Sequence, residues 1–150
     1  MTRKSVKVFL DTSVVFSAVL SSTGGARKLF LLGEAELLEL MVGPNVLREA
    51  DEVVRRKAPG SLPLLAQLLE IGKVQTVHAP TPKQVESARR MVDYAPDARV
   101  LAEAIRAKAD WFVTHDKEHF LKAKIVIQPP FEIGSPGDLL QKFKDEFYLS

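Results

Sequence analysis

Short continuous apolar runs recur along the chain, separated by longer stretches whose apolar residues return at helical spacing. Strands that read apolar on both faces must be covered on both faces, and helices between successive strands make those strands parallel. Strands are predicted at residues 6–10, 40–42, 74–77, 111–114 and 125–127. Helices are predicted at residues 14–21, 25–33, 44–57, 61–71, 82–92, 97–109 and 137–147. The expected class is α/β: a three-layer α/β/α sandwich with a short, mostly parallel sheet of about five strands. Pro44 suits a first helical turn, Pro59 stops the segment before it, and Gly60 and Gly72 punctuate helix ends. The Pro/Gly-rich residues 128–137 read as a loop. With 150 residues, the chain is expected to form one domain spanning 1–150.

Composition narrows the function classes. Hydrophobic residues at 46% and charged residues at 27% leave no disordered or linker-like tract. No apolar run approaches the roughly 18 residues of a membrane helix. Met1-Thr-Arg-Lys leads into a strand rather than a signal-peptide core, so a cytoplasmic protein is expected. The absence of cysteine excludes disulfides, thiolate nucleophiles and thiolate metal sites, and any metal would be held by oxygen or imidazole. A net charge of +2 does not announce a nucleic-acid partner. The basic groups Arg27-Lys28, Arg55-Arg56-Lys57 and Arg89-Arg90 read equally as solvated helix faces.

The acids carry the chemistry. In a parallel sheet the C-terminal ends of all strands share one rim, where open α/β sheets bind ligands. Asp11 ends the first strand on that rim, and Asp116 lies just beyond the strand in WFVTHD. The helix before that strand runs antiparallel to it, which brings Asp97 at its start to the same rim. By spacing, Asp97 shares a face with Val100, Leu101, Ala104 and Ile105. Glu49 borders the buried stripe of its helix and lies early enough to reach the rim. Converging carboxylates raise one another's pKa unless a cation neutralises them. Oxygen ligands select hard ions, Mg²⁺ or Mn²⁺, and the chemistry that follows is phosphodiester hydrolysis by metal-activated water.

Each acid also has an ordinary reading. Asp11 in Asp-Thr-Ser and Asp97 after Pro96 can cap helices, Glu49 can be a surface acid, and Asp116 can form a turn. Independent caps and surface acids have no reason to gather on one rim. Tyr94 and Phe120 fall near that rim, where either packing or contact with nucleic acid is open to them.

Asp11-Thr12-Ser13, Glu49 after PNVLR, Asp97 in PDARVLAEA and Thr114-His115-Asp116 ahead of Phe120 together resemble the PIN-domain nucleases, in order along nearly the whole chain. The ending KIVIQPPFEIGSPGDLLQKF is similar to a branch described as toxin components of toxin–antitoxin pairs. The resemblance implies a Mg²⁺- or Mn²⁺-dependent ribonuclease, an RNA substrate, an antitoxin protein as partner, and a homodimer or higher oligomer. It implies that Asp11, Glu49, Asp97 and Asp116 hold metal, with Ser13 and Thr114 orienting the carboxylates. Many members carry a further acid just before the aromatic residue matching Phe120. Here His119 stands in that place, so Glu118 and His119 become the candidates for contact with metal or phosphate.

Other classes fit less well. The first strand is followed by DTSVVF rather than a glycine-rich turn, against a dinucleotide site. A receiver domain leaves Glu49 and Asp97 unexplained, and an aspartyl phosphatase wants an acid where Ser13 stands. The serious rival is a non-catalytic PIN-like module that only holds RNA or protein.

Overall fold

The computed structural model describes residues 5–122 and 128–149. Five parallel strands form one sheet in the order β3-β2-β1-β4-β5, namely β1 (Val6–Leu10), β2 (Leu38–Val42), β3 (Gln75–Thr76), β4 (Trp111–Val113) and β5 (Glu132–Gly134). Helices α1 (Thr12–Leu20), α2 (Gly25–Glu34), α3 (Pro44–Lys57), α4 (Leu62–Ile71), α5 (Pro82–Arg89), α6 (Ala95–Arg106), α7 (Lys117–Lys122) and α8 (Pro136–Leu149) complete the three-layer sandwich. A 3-10 turn, Pro59–Ser61, precedes α4. The sheet is parallel throughout, not merely mostly so.

The core follows the sequence pattern. Val8, Phe9 and Leu10 are fully buried although their side chains alternate between faces, so both faces of the central strand are covered. Phe9 stacks on Phe112 with ring centroids 5.8 Å apart, and Phe120 meets Phe112 edge-on at 5.0 Å. Leu65 and Leu68 of α4 are buried, while Leu62, Leu64 and Leu69 pack partly against the same core.

Three expectations need correction or relocation. β3 shrinks to two exposed residues at the sheet edge, where Gln75 and Thr76 pair with Met41 and Val42 at the end of β2. The loop expected at 128–137 contains β5, a short strand whose Glu132 is exposed and whose preceding residues are Pro129-Pro130. Prolines cannot sit within a central ladder but are tolerated ahead of an edge strand, so they hid this one. The strand expected at 125–127 lies outside the described residues. The short helix α7 was not expected; its first-turn amides of His119 and Phe120 donate to the carbonyl of Asp116.

Candidate active site

β1 occupies the centre of the sheet. The chain winds outward from it through β2 to β3, then crosses back to add β4 and β5 on the other side. Winding therefore reverses between β1 and β4, and ligand sites of open α/β sheets open at the carboxyl ends of strands at such a point. Leu10 pairs with Val113, and the next amide, Asp11 N–H, donates to the Val113 carbonyl at 3.0 Å. Asp11 and Thr114 thus emerge side by side, and Thr114 Oγ1 donates to Asp11 Oδ2 at 2.7 Å.

Asp11 is held by its neighbours on both sides. Oδ1 accepts from Thr12 N–H at 2.9 Å, and Oδ2 also accepts from Ser13 Oγ at 3.2 Å. The residue caps α1 and at the same time stands at the carboxyl end of β1, so the cap does not take it away from the rim. Only 9% of Asp11 is exposed. Burial pushes its carboxyl above the ordinary 3.8, against the hydrogen bonds from Thr114, Thr12 and Ser13, and repulsion from Asp116 adds to the rise.

The β4 side of the rim is braced by a small network. Thr114 Oγ1 accepts from Asp116 N–H at 3.0 Å, and Ser13 Oγ accepts from His115 N–H at 3.1 Å. Ser13 and Thr114 therefore link the turns after β1 and β4. Lys117 reaches Asp138 in the first turn of α8 at 2.7 Å, and this contact draws the Asp138 carboxyl below its usual range. Glu118 begins the exposed face of α7.

Asp97 lies in the first turn of α6 and is partly buried. The helix is capped by Tyr94, not by Asp97, which removes the capping reading for this acid. Asp97 Oδ2 is 2.8 Å from His119 Nε2. Its carboxyl is raised by burial, offset by His119 and raised further by Asp116. Glu49, half-buried on α3, accepts a hydrogen bond from Thr12 Oγ1 at 2.9 Å.

The four acids expected at the rim are therefore joined in two ways. Asp11, Asp97 and Asp116 share a repulsive field centred on Asp116. Glu49 is tethered to the Asp11 turn through Thr12, and Asp97 is engaged by His119. Among the described residues no group of three His, Asp or Glu side chains stands close enough to hold an ion as arranged. The expected convergence is one of position on the rim, not of preassembled ligands. The donor set is nonetheless of the right chemistry: carboxylate oxygens that repel one another, joined by an imidazole, suit a hard divalent cation.

One acid escaped the sequence reading. Glu103 of α6 is fully buried, its Oε2 accepts from Asn45 N–H at 2.8 Å, and the Val46 amide also supports it. It supplies the acceptor that the start of α3 lacks, since the N-cap is Gly43 and offers no side chain. A Cβ on Gly43 would overlap the Glu103 carboxyl group, so the glycine is what lets the acid approach. Glu103 Oε1 is the one buried side-chain polar atom among the described residues without a hydrogen-bond partner. Burial raises this carboxyl, with Glu49 adding repulsion. The only signal for it in sequence is a helix start, Gly-Pro-Asn, with amides that need an acceptor from elsewhere.

Comparisons with known proteins agree with this architecture. Residues 7–118 match the PIN domain family model. The crystal structure of PAE2754 from Pyrobaculum aerophilum superposes with a TM-score of 0.63 at 16% identity, over 93% of this chain and 90% of that one. That of Mycobacterium tuberculosis VapC20, a Sarcin-Ricin loop cleaving toxin, gives 0.55 at 18% identity, over 82% of this chain and 99% of that one. No curated protein matches the sequence. At such identities the solved structures speak to the fold, while the matched span reaches from the first residues of β1 past Asp116 and so takes in the whole acid-bearing rim: the chain belongs to the PIN-domain family.

Proposed function

We propose that the chain is a divalent-metal-dependent endoribonuclease that hydrolyses RNA phosphodiester bonds, acting as the toxin component of a toxin–antitoxin pair. The observation that carries this reading is the placement of Asp11 and Asp116 at the carboxyl ends of β1 and β4, at the point where the winding reverses, with Asp97 and Glu49 delivered to the same rim. Membership of a family whose members are generally nucleases supports it. Likeness in fold to a toxin that cleaves the Sarcin-Ricin loop favours RNA as the substrate.

Asp11, Glu49, Asp97 and Asp116 would hold Mg²⁺ or Mn²⁺. A divalent ion supplies, when bound, a water of lowered pKa and positive charge against the phosphate. Ser13 and Thr114 fix the orientation of the Asp11 carboxylate by donating to Oδ2. His119 engages one carboxylate oxygen of Asp97, Oδ2, so an ion would be held through the other, and Glu118 stands at the start of α7. An antitoxin partner and a homodimer or higher oligomer belong to this reading as well.

The purified chain is expected to cleave RNA with Mg²⁺ or Mn²⁺ and to lose that cleavage with EDTA. Asp11→Asn is expected to reduce the rate by at least 100-fold while the protein stays folded. Cleavage by Asp11→Asn at the parental rate, or a metal-independent parent, would sink the proposal. The contact between His119 and Asp97 favours one rival, a non-catalytic RNA- or protein-binding module. That module would keep or tighten RNA binding in Asp11→Asn without any cleavage by the parent.

A further inference from the structure

Two exposed rings stand together at the edge of the candidate site. Tyr94 is 61% exposed, more than any other large hydrophobic residue among those described. It is the N-cap of α6, and its carbonyl accepts from Ala98 N–H at 3.0 Å, which fixes its backbone at the helix start. Its ring meets His119 nearly perpendicularly, at 85°, with centroids 6.5 Å apart. The His119 side chain is 64% exposed and is anchored at 2.8 Å to Asp97. Phe120, the next residue, turns inward and is buried against Phe112.

We propose that Tyr94 and His119 form a corner that receives an unpaired nucleobase of RNA, adjacent to the phosphate addressed by the rim acids. This deepens the ribonuclease reading and rests on it. A lone exposed apolar side chain needs no explanation. Tyr94 differs in being set one helical turn from Asp97, against a ring that Asp97 itself holds. Along the chain around Tyr94 the exposed charges are of both signs, Arg90 and Arg99 beside Asp93, so charge there selects neither anion nor cation, whereas an exposed ring face stacks on a neutral base. The perpendicular pair leaves one ring face open for stacking while the other ring closes the side. Base stacking of this kind tolerates many sequences, so the corner would fix strand position rather than identify a base.

The test uses the full chain carrying Asp11→Asn to suppress cleavage, and a single-stranded oligoribonucleotide of mixed sequence containing 2-aminopurine. Stacking is expected to quench 2-aminopurine fluorescence on binding. Tyr94→Ala is expected to abolish that quenching and weaken RNA affinity by roughly 5- to 150-fold, the range of ~1–3 kcal/mol per stacked base. Tyr94→Phe and Tyr94→Trp are expected to retain both, and Mn²⁺ affinity, measured in the same Tyr94 variants with Asp11 intact, is expected to stay the same in all of them. Equal RNA affinity and quenching in Tyr94→Ala and its parent would overturn the corner alone. Failure of the parent to bind RNA at all would overturn the ribonuclease reading together with the corner.

Discussion

Asp11 carries two roles on one carboxylate. It caps α1 through Oδ1 and presents Oδ2 to Thr114 and Ser13. Thr114 is fully buried and connects the acids of both strands, donating to Asp11 and accepting from the amide of Asp116. Thr114→Val keeps the shape and removes the hydroxyl. Its expected cost is ~1.5–3 kcal/mol in urea denaturation, because a buried charged acceptor loses its shortest bond. Mn²⁺ affinity is expected to fall by about 10- to 100-fold, and the pH at which metal binds to move upward, since the Thr114 bond is what most opposes the rise in the Asp11 carboxyl. A titration by calorimetry across pH checks both. Asp11, Asp97 and Asp116 were legible because strand ends and helix starts fix where such residues lie. The fates of Tyr94 and Phe120 were not, since either aromatic near a rim can pack or protrude, and only the neighbour Phe112 decides which one turns inward.

At the scale of elements, α3 and α6 are locked together by Glu103 and Gly43. Gly43→Ala is expected to destabilise by about 1–3 kcal/mol, because the added methyl meets the Glu103 side chain, with 2.7 Å to its Cβ, where nothing flexible can withdraw. In the Glu103→Ala background the same change is expected to cost less, a coupling of ~0.5–3 kcal/mol in a double-mutant cycle. The pH dependence of Glu103 has a definite sign. Burial raises its carboxyl above the ordinary 4.5, so the folded chain holds this proton more tightly than the unfolded chain does. That contribution to stability is present below about pH 4.5 and is lost as pH rises through the raised value. Glu103→Gln lacks the term, so its stability is expected to gain on that of the parent as pH rises above about 4.5, as measured by denaturant midpoints. Sequence periodicity could not find Glu103, since it lies beside the apolar stripe Val100, Leu101, Ala104 and Ile105, and only packing against α3 extends burial to it. The β5 strand escaped for the complementary reason, three residues behind two prolines carry too little pattern.

For the whole molecule, the proposed metal-dependent reading predicts linkage between metal and folding. Carboxylates that repel one another at neutral pH destabilise the chain until a cation neutralises them. Saturating Mn²⁺ at about 100 times its Kd is expected to add ~2.7 kcal/mol, or a rise in Tm of roughly 5–10 °C for a chain of this size. EDTA is expected to reverse the rise and Asp11→Asn to remove it, read by thermal melts with and without Mn²⁺. The melts report on an α/β sandwich whose buried apolar residues form one cluster.

The sequence by itself determined the alternation of strands and helices, the burial of the central strands on both faces, and the presence of acids where strands end and helices begin. These follow from local periodicity and from the two-residue and 3.6-residue repeats of the backbone. Tertiary structure alone decided that β1 and β4 are neighbours, that Thr114 and Ser13 meet at Asp11, that His119 holds Asp97, and that Glu103 caps a helix 58 residues away in sequence. Each of these depends on segments far apart along the chain being brought together. Their spacing leaves no periodic trace, because the geometry that joins them is set by how the sheet is wound and not by any single element.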